Sequence, residues 1–303
     1  MNRSLRIGTR DSELALWQAR TVQEAMAAHG VEATLVPVKS TGDLILDKPL
    51  YELGVTGIFT KTLDIALLNG SIDLAVHSMK DVPTALPEGI VPVAVLERAN
   101  PMDILVHKGL DFLNAEGIVA TGSLRRKAQW LRRYPLHEVV DLRGNVNTRL
   151  QKLEDNRWDG AVFAAAGLER IGLLPQTYTT LEWMVPAPAQ GAMLVVARAD
   201  DAEAAAAAQS LHHAPTDACV RAERAFLREL EGGCTAPIGA LAQLKARQLD
   251  FTGALFSLDG TREVRVAQSG PAGDPETFGI ACAREILENG GAELMQEIRK
   301  TLS

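Results

Sequence analysis

Residues 97–101 read ERANP, and residues 185–192 read VPAPAQGA. Both are short, proline-punctuated stretches set among segments that otherwise alternate between strand-like and helix-like patterns. Proline fixes φ and removes a backbone donor, so a stretch of this kind interrupts regular structure and suits a crossing between bodies. Two such crossings imply a middle domain inserted into the first, joined by a two-stranded hinge with a cleft between. The expected domains are 1–97 with 192–211, then 98–191, then 212–303.

The flanking pattern sets the fold class. LRIGT (5–9) reads as a strand, and Ser12 caps an amphipathic helix that ends near Gly30. ATLVPV (33–38) is a strand, TKTLDIALLNG (60–70) a helix, and IDLAVHS (72–78) a buried strand. GIVPVAVL (89–96), DILVHK (103–108) and IVATG (118–122) read as strands, followed by the helix SLRRKAQWLRRY, which Pro135 stops. EVVDLRG (138–144) is a strand, VNTRLQKLEDN (146–156) a helix, and GAVFAAAGL (160–168) a further strand-to-helix crossing. The alanine-rich 202–210 stretch forms a helix returning to the first domain. Alternation of this kind predicts α/β layers with ligands outside the carboxyl ends of the strands. The third unit starts at 212 and carries two alternating strands (249–260 and 262–270), and the helix 276–291 is expected to be its last element. The fold expected is two α/β domains plus a smaller α+β C-terminal domain.

Length and composition narrow the function. A chain of 303 residues exceeds one compact core, and 47% hydrophobic with 23% charged residues is ordinary for a globular protein. The first residues lack a secretory apolar core, and no stretch reaches the roughly 20 apolar residues of a membrane span. Three cysteines (Cys219, Cys234, Cys282) without a secretory signal predict reduced thiols in the cytoplasm. Neither CxxC nor HExxH occurs, so no metal is expected. A net charge of −7 argues against nucleic acid as a partner. Residues 121–149 run the other way, with a local excess of +5 that suits small anions or a solvated helix face.

Three clusters carry chemistry. VHSMKDVPT (76–84) delivers Ser78, Lys80 and Asp81 onto a loop at the end of an apolar strand, where a carboxylate and an ammonium suit acid–base work. The bland alternative is a capping Asp and a surface Lys before Pro83. In TGSLRRKAQ (121–129), Thr121 and Ser123 can cap a helix, and Arg125 and Arg126 add bidentate forks for carboxylate or phosphate. Arg143, Arg149 and Arg170 follow on the next turns and helices, while Arg132 and Arg133 read as a solvated helix face. LEGGCTAPIG (230–239) sets Cys234 on a glycine-rich turn with no histidine nearby in sequence. That thiol suits a nucleophile, an attachment point or an incidental surface position.

In order and spacing these clusters closely resemble the porphobilinogen deaminase family, through RIGTRDSELALWQ, VHSMKDVPT, TGSLRRKAQ, DLRGNVNTRL, AAAGLERIG, PAPAQGA and LEGGCTAPIG. The resemblance spans almost the entire chain. It implies a transferase of tetrapyrrole (porphyrin and heme) biosynthesis that condenses four porphobilinogen molecules head to tail and releases ammonia. It also implies a dipyrromethane cofactor joined by a thioether to Cys234, Asp81 as the catalytic carboxylate, and a monomeric cytoplasmic protein. Arg10, Ser12, Ser78, Lys80, Thr121, Ser123, Arg125, Arg126, Arg143, Arg149 and Arg170 would surround cofactor and substrate, and Gln18 and Gln190 would line the cleft. Thr56 stands where many members have a lysine, Ala189 where a glycine is common, and Gly122 where a serine is common. Residues 44–57 could form a lid. The hinge also resembles that of two-domain, periplasmic-binding-protein-like proteins that capture anions without chemistry; Asp81 and Cys234 discriminate against that alternative. A thiol-dependent acyl or alkyl transferase is a third reading, weakened by the missing histidine.

Overall fold

The computed structural model describes residues 3–39, 60–230 and 236–302. The expected lid at 44–57, Thr56 and Cys234 lie outside the described residues. The chain divides into two compact units: it leaves the first after Ala99, re-enters it at Gly191 and leaves again after Asp217.

The first unit holds a five-stranded sheet. In spatial order it comprises β2 (Ala33–Pro37), β1 (Leu5–Thr9), β3 (Leu74–Ser78), β10 (Met193–Arg198) and β4 (Ile90–Val95). β1 runs parallel to both β2 and β3, whereas β10 is antiparallel to β3 and β4. The apolar alternation of β1 and β3 turns Leu5, Ile7, Leu74 and Val76 into one core with Ala19, Val22 and Met26 of α1 (Glu13–Ala28). Ser12 caps α1 by accepting from the Ala15 N–H. α2 (Lys61–Leu68) and α6 (Ala202–Gln209) complete the layers. The two crossings meet where the Ala99 N–H donates to Gly191 O at 3.1 Å.

The second unit holds two sheets. One has the order β7 (Glu138–Val140), β6 (Ile118–Ala120), β8 (Gly160–Ala164), β5 (Asp103–His107), β9 (Tyr178–Thr180). β6 is parallel to β7 and β8, while β5 is antiparallel to β8 and β9. α3 (Leu124–Arg133), α4 (Val146–Asp155) and α5 (Ala165–Arg170) follow β6, β7 and β8 in turn. The other is an antiparallel meander of β11 (Ile238–Lys245), β12 (Gln248–Phe256) and β13 (Glu263–Pro271). α7 (Ala214–Glu229), α8 (Pro275–Ile286) and α9 (Ala292–Leu302) pack with it. The fold class is the one expected: two α/β sheets and a smaller α+β C-terminal part.

Local differences from the sequence reading have physical reasons. EVVDLRG is extended only to Val140, because β7 is an edge strand with one three-residue partner. The helix 276–291 is not the last element: Gly290, at φ +98°, breaks it and lets α9 begin. β9 and β11 form in segments that carry no strong alternation signal.

Two features lock the second unit internally. Ala128, Val185, Ala254 and Phe256 form a shared apolar seam between its two sheets. There a Cβ on Gly260, itself at φ +76°, would lie 2.2 Å from Ala128 O, so only glycine fits. The second feature is Glu223 on α7, fully excluded from water. One carboxylate oxygen accepts from the Ala189 N–H at 2.6 Å and the other from the Ala242 N–H at 2.7 Å. Ala189 sits at φ +60°, a conformation costing an L-residue about 1–2 kcal/mol, so the crossing 185–192 is held by this carboxylate in a strained form. Glu223→Gln turns one acceptor into a donor facing an N–H. It should therefore lower unfolding free energy by roughly 2–3 kcal/mol in urea titration; an unchanged midpoint contradicts the bracing role.

Candidate functional site

Parallel strands gather their carboxyl ends on one edge, and loops leaving that edge can converge. In the first unit β1 ends into Arg10 and Ser12, and β3 ends into a 3-10 turn, Met79–Asp81. Arg10, Ser12, Gln18, Ser78 and Asp81 accordingly line one pocket, together with Leu14, Ala15, Thr60 and His77. Gln18 is buried on α1 and donates its amide to Ser78 Oγ at 2.9 Å, fixing the serine at the strand end. Lys80 lies on the same turn and is half-buried.

His77 carries little signal in the sequence, because it sits within an apolar strand. Its ring is 6% exposed and lines this pocket. Burial, followed by the nearby Arg10 charge, lowers its pKa from 6.5 to about 4, so the imidazole is neutral at pH 7.

The same rule applies to the second unit. β6 leads into Thr121 and Ser123, β7 into Arg143, and β8 into the helix that ends with Arg170. Ser123 caps α3, its hydroxyl accepting from the Arg126 N–H, and Thr121 Oγ1 accepts from the Ser123 N–H at 3.3 Å. Burial lowers the Arg143 pKa, and it brings that of Arg170 down to about 10 against the opposing Glu169 charge. Arg149 Nε donates to Gly144 O at 2.7 Å, and Lys152 Nζ donates to Arg143 O at 3.2 Å. The Arg143 and Arg149 loop is thus tied to its own helix.

Arg125 and Arg126 are both buried, and both engage Asp103, a residue with no exposure at all. Burial alone would raise the Asp103 pKa; the two guanidiniums and the Gln190 amide outweigh it and hold the carboxyl well below its usual range. Gln190 corrects the sequence reading. It is fully buried rather than open to solvent, its amide donating to Pro101 O at 2.7 Å and to Asp103 at 3.0 Å. It shares Asp103 with the Arg125–Arg126 pair. Arg132 and Arg133 are accounted for structurally, Arg132 by an ion pair with Glu263 and Arg133 by stacking over Trp183.

Of the cysteines, Cys219 and Cys282 are buried, and burial pushes the Cys282 thiol up to about 12. No metal-holding cluster of three His, Cys, Asp or Glu occurs among the described residues, and no described helix is long and apolar enough to cross a membrane.

A pocket lined by Asp81 on one α/β unit, and arginines on the loops and helices that follow the parallel strands of a second α/β sheet, are chemistry suited to small anions. Residues 5–206 match the model of the porphobilinogen deaminase, dipyromethane cofactor binding domain, and residues 218–288 that of the porphobilinogen deaminase C-terminal domain. Porphobilinogen deaminase of Moorella thermoacetica is 47% identical over 302 residues, covering 97% of this chain and 96% of the relative. That of Geobacter sulfurreducens is 44% identical, covering 97% and 94%, and that of Desulforudis audaxviator is 44% identical, covering 99% of both. A solved ancestral cationic amino acid solute binding protein is similar at TM-score 0.43 and 18% identity, covering 69% of this chain and 87% of its own. The chain belongs to the porphobilinogen deaminase family and carries that family's dipyrromethane-cofactor-binding domain.

The pocket histidine makes a prediction about pH. Unfolded, His77 takes up a proton near 6.5; folded, only near 4. Its contribution to stability is therefore complete above 6.5 and is lost as pH falls toward 4. His77→Gln should flatten the fall in melting temperature between those values, with His107, also lowered by burial, retained as the residual slope. A variant that keeps the full wild-type slope contradicts the buried, neutral assignment.

Proposed function

We propose that this transferase is a hydroxymethylbilane synthase, which joins four porphobilinogen molecules head to tail with release of ammonia, as a cytoplasmic monomer. The observation that carries the reading is the convergence of Asp81 with Arg10, Ser12, Gln18 and Ser78 on one pocket at the carboxyl ends of β1 and β3. A capture protein for anions has no use for a carboxylate beside its ligand, since like charges repel at short range.

Cys234, in the glycine-rich sequence LEGGCTAPIG, is assigned as the attachment point of the dipyrromethane cofactor. Burial of Cys219 and Cys282 supports that choice, because neither thiol is open to a reacting group, and desolvation raises that of Cys282 and makes it a poor nucleophile. The donor set fits a group bearing acetate and propionate arms: Arg125, Arg126, Arg143, Arg149 and Arg170 lie on the loops and helices that follow three adjacent parallel strands. When bound, the cofactor supplies the terminal pyrrole ring on which the chain is extended.

The remaining chemistry falls to the protein's own residues. Asp81 accepts a hydrogen bond from the substrate pyrrole N–H and stabilises the positive charge that develops as ammonia departs. After carbon–carbon bond formation it assists removal of the proton from the ring α-carbon. Thr121 and Ser123 orient substrate or cofactor, Lys80 and the arginines bind carboxylate arms, and Arg10 adds a cation beside Asp81. Asp81→Asn keeps the size of the side chain but loses its charge. Tetrapyrrole formation should fall roughly a hundredfold or more with the melting temperature unchanged; turnover near wild type contradicts the assignment.

A further inference from the structure

Asp103 is a buried carboxylate to which the reading above gives no part. It opens β5, antiparallel to β8, and so starts at the edge where β8 and its parallel neighbour β6 end. Its Oδ2 accepts from Arg125 Nη1 at 2.6 Å. Its Oδ1 accepts from Arg126 Nε at 2.9 Å and from Gln190 Nε2 at 3.0 Å, with Arg126 Nη2 at 2.8 Å. Backbone carbonyls complete the arrangement, Val185 O taking Arg125 Nη1 at 2.8 Å and Val162 O taking Arg126 Nη1 at 2.9 Å.

Two details point beyond packing. Two guanidiniums converge on one carboxylate that has no exposure, and charged groups are costly to bury for packing alone. Arg125 also makes both of these contacts through Nη1 alone, although its side chain is 5% exposed. Its Nε–Nη2 edge is the fork that meets a carboxylate with two parallel hydrogen bonds.

We propose that Asp103 is a positioning residue: by holding Arg125 through Nη1 and Arg126 through Nε and Nη2, it presents the Nε–Nη2 fork of Arg125 to one carboxylate arm of the bound pyrrole chain. Gln190 steadies Asp103, and Glu223 steadies the crossing that carries Gln190. The inference rests on the carboxylate-binding role proposed for Arg125.

The test compares full-length Asp103→Asn, Arg125→Leu and the double variant on two readouts. One is the fraction of purified chain whose intact mass carries the increment of two linked pyrroles; the other is KM for porphobilinogen of that fraction. Each single variant should lower the fraction or raise KM on the order of tenfold, the scale of one lost charge-assisted hydrogen bond. The double variant should be no worse than Arg125→Leu alone, because Asp103 acts through Arg125. Losses that multiply in the double variant, or wild-type values in Asp103→Asn, overturn the positioning role and leave the arginine clamp standing. Wild-type values in Arg125→Leu overturn the clamp and the inference together. Should Asp103→Asn not yield folded chain, Gln190→Met replaces it. A smaller loss that disappears in the Arg125→Leu background supports the inference, and one that persists there overturns it.

Discussion

A carboxylate with no access to water, bracketed by two guanidiniums, fixes how the second unit can be built. Asp103 can stay ionised only while Arg125, Arg126 and Gln190 all point at it. That requirement sets the entry of β5, the start of α3 and the path of the crossing 185–192 relative to one another. Buried ion clusters are weak sources of net stability, because desolvation offsets much of the attraction. A hydrophobic trio could fill the same volume. What it could not do is leave a fixed cationic fork at the edge of the sheet.

The same logic links the elements around it. Glu223 anchors the strained Ala189 beside Gln190, and the seam of Ala128, Val185, Ala254 and Phe256 presses α3 against the antiparallel meander. The helix bearing the arginine pair is thus held from its own sheet, from the crossing and from the C-terminal part. In the first unit the constraint is lighter: a Gln18–Ser78 hydrogen bond and a capped α1 deliver their residues to the pocket that Asp81 lines. Both surfaces follow from one topological fact, that parallel strands deliver their following loops to the same edge.

Much of this was legible in the sequence. Strand–helix alternation identified the α/β sheets, and apolar runs ending in SMKD or TGSLRR marked the edge where polar residues gather. What escaped was long-range pairing. Asp103 reads as the first residue of an apolar strand, His77 as a polar residue near the end of another, and Glu223 as one more charge on a helix full of them. Each owes its importance to partners distant along the chain, as in Asp103 with Arg125 or Glu223 with Ala189 and Ala242. Gln190 was misjudged for the same reason, since its motif marked it as polar and notable without saying which way it faced.

The central claim is a division of labour in which Cys234 anchors the primer and Asp81 does the chemistry. The most direct measurement is the intact mass of the purified chain beside that of Cys234→Ser. The account predicts an increment of two linked pyrroles on the wild-type chain, absent from the serine variant together with activity. A wild-type chain of unmodified mass that still makes hydroxymethylbilane contradicts it.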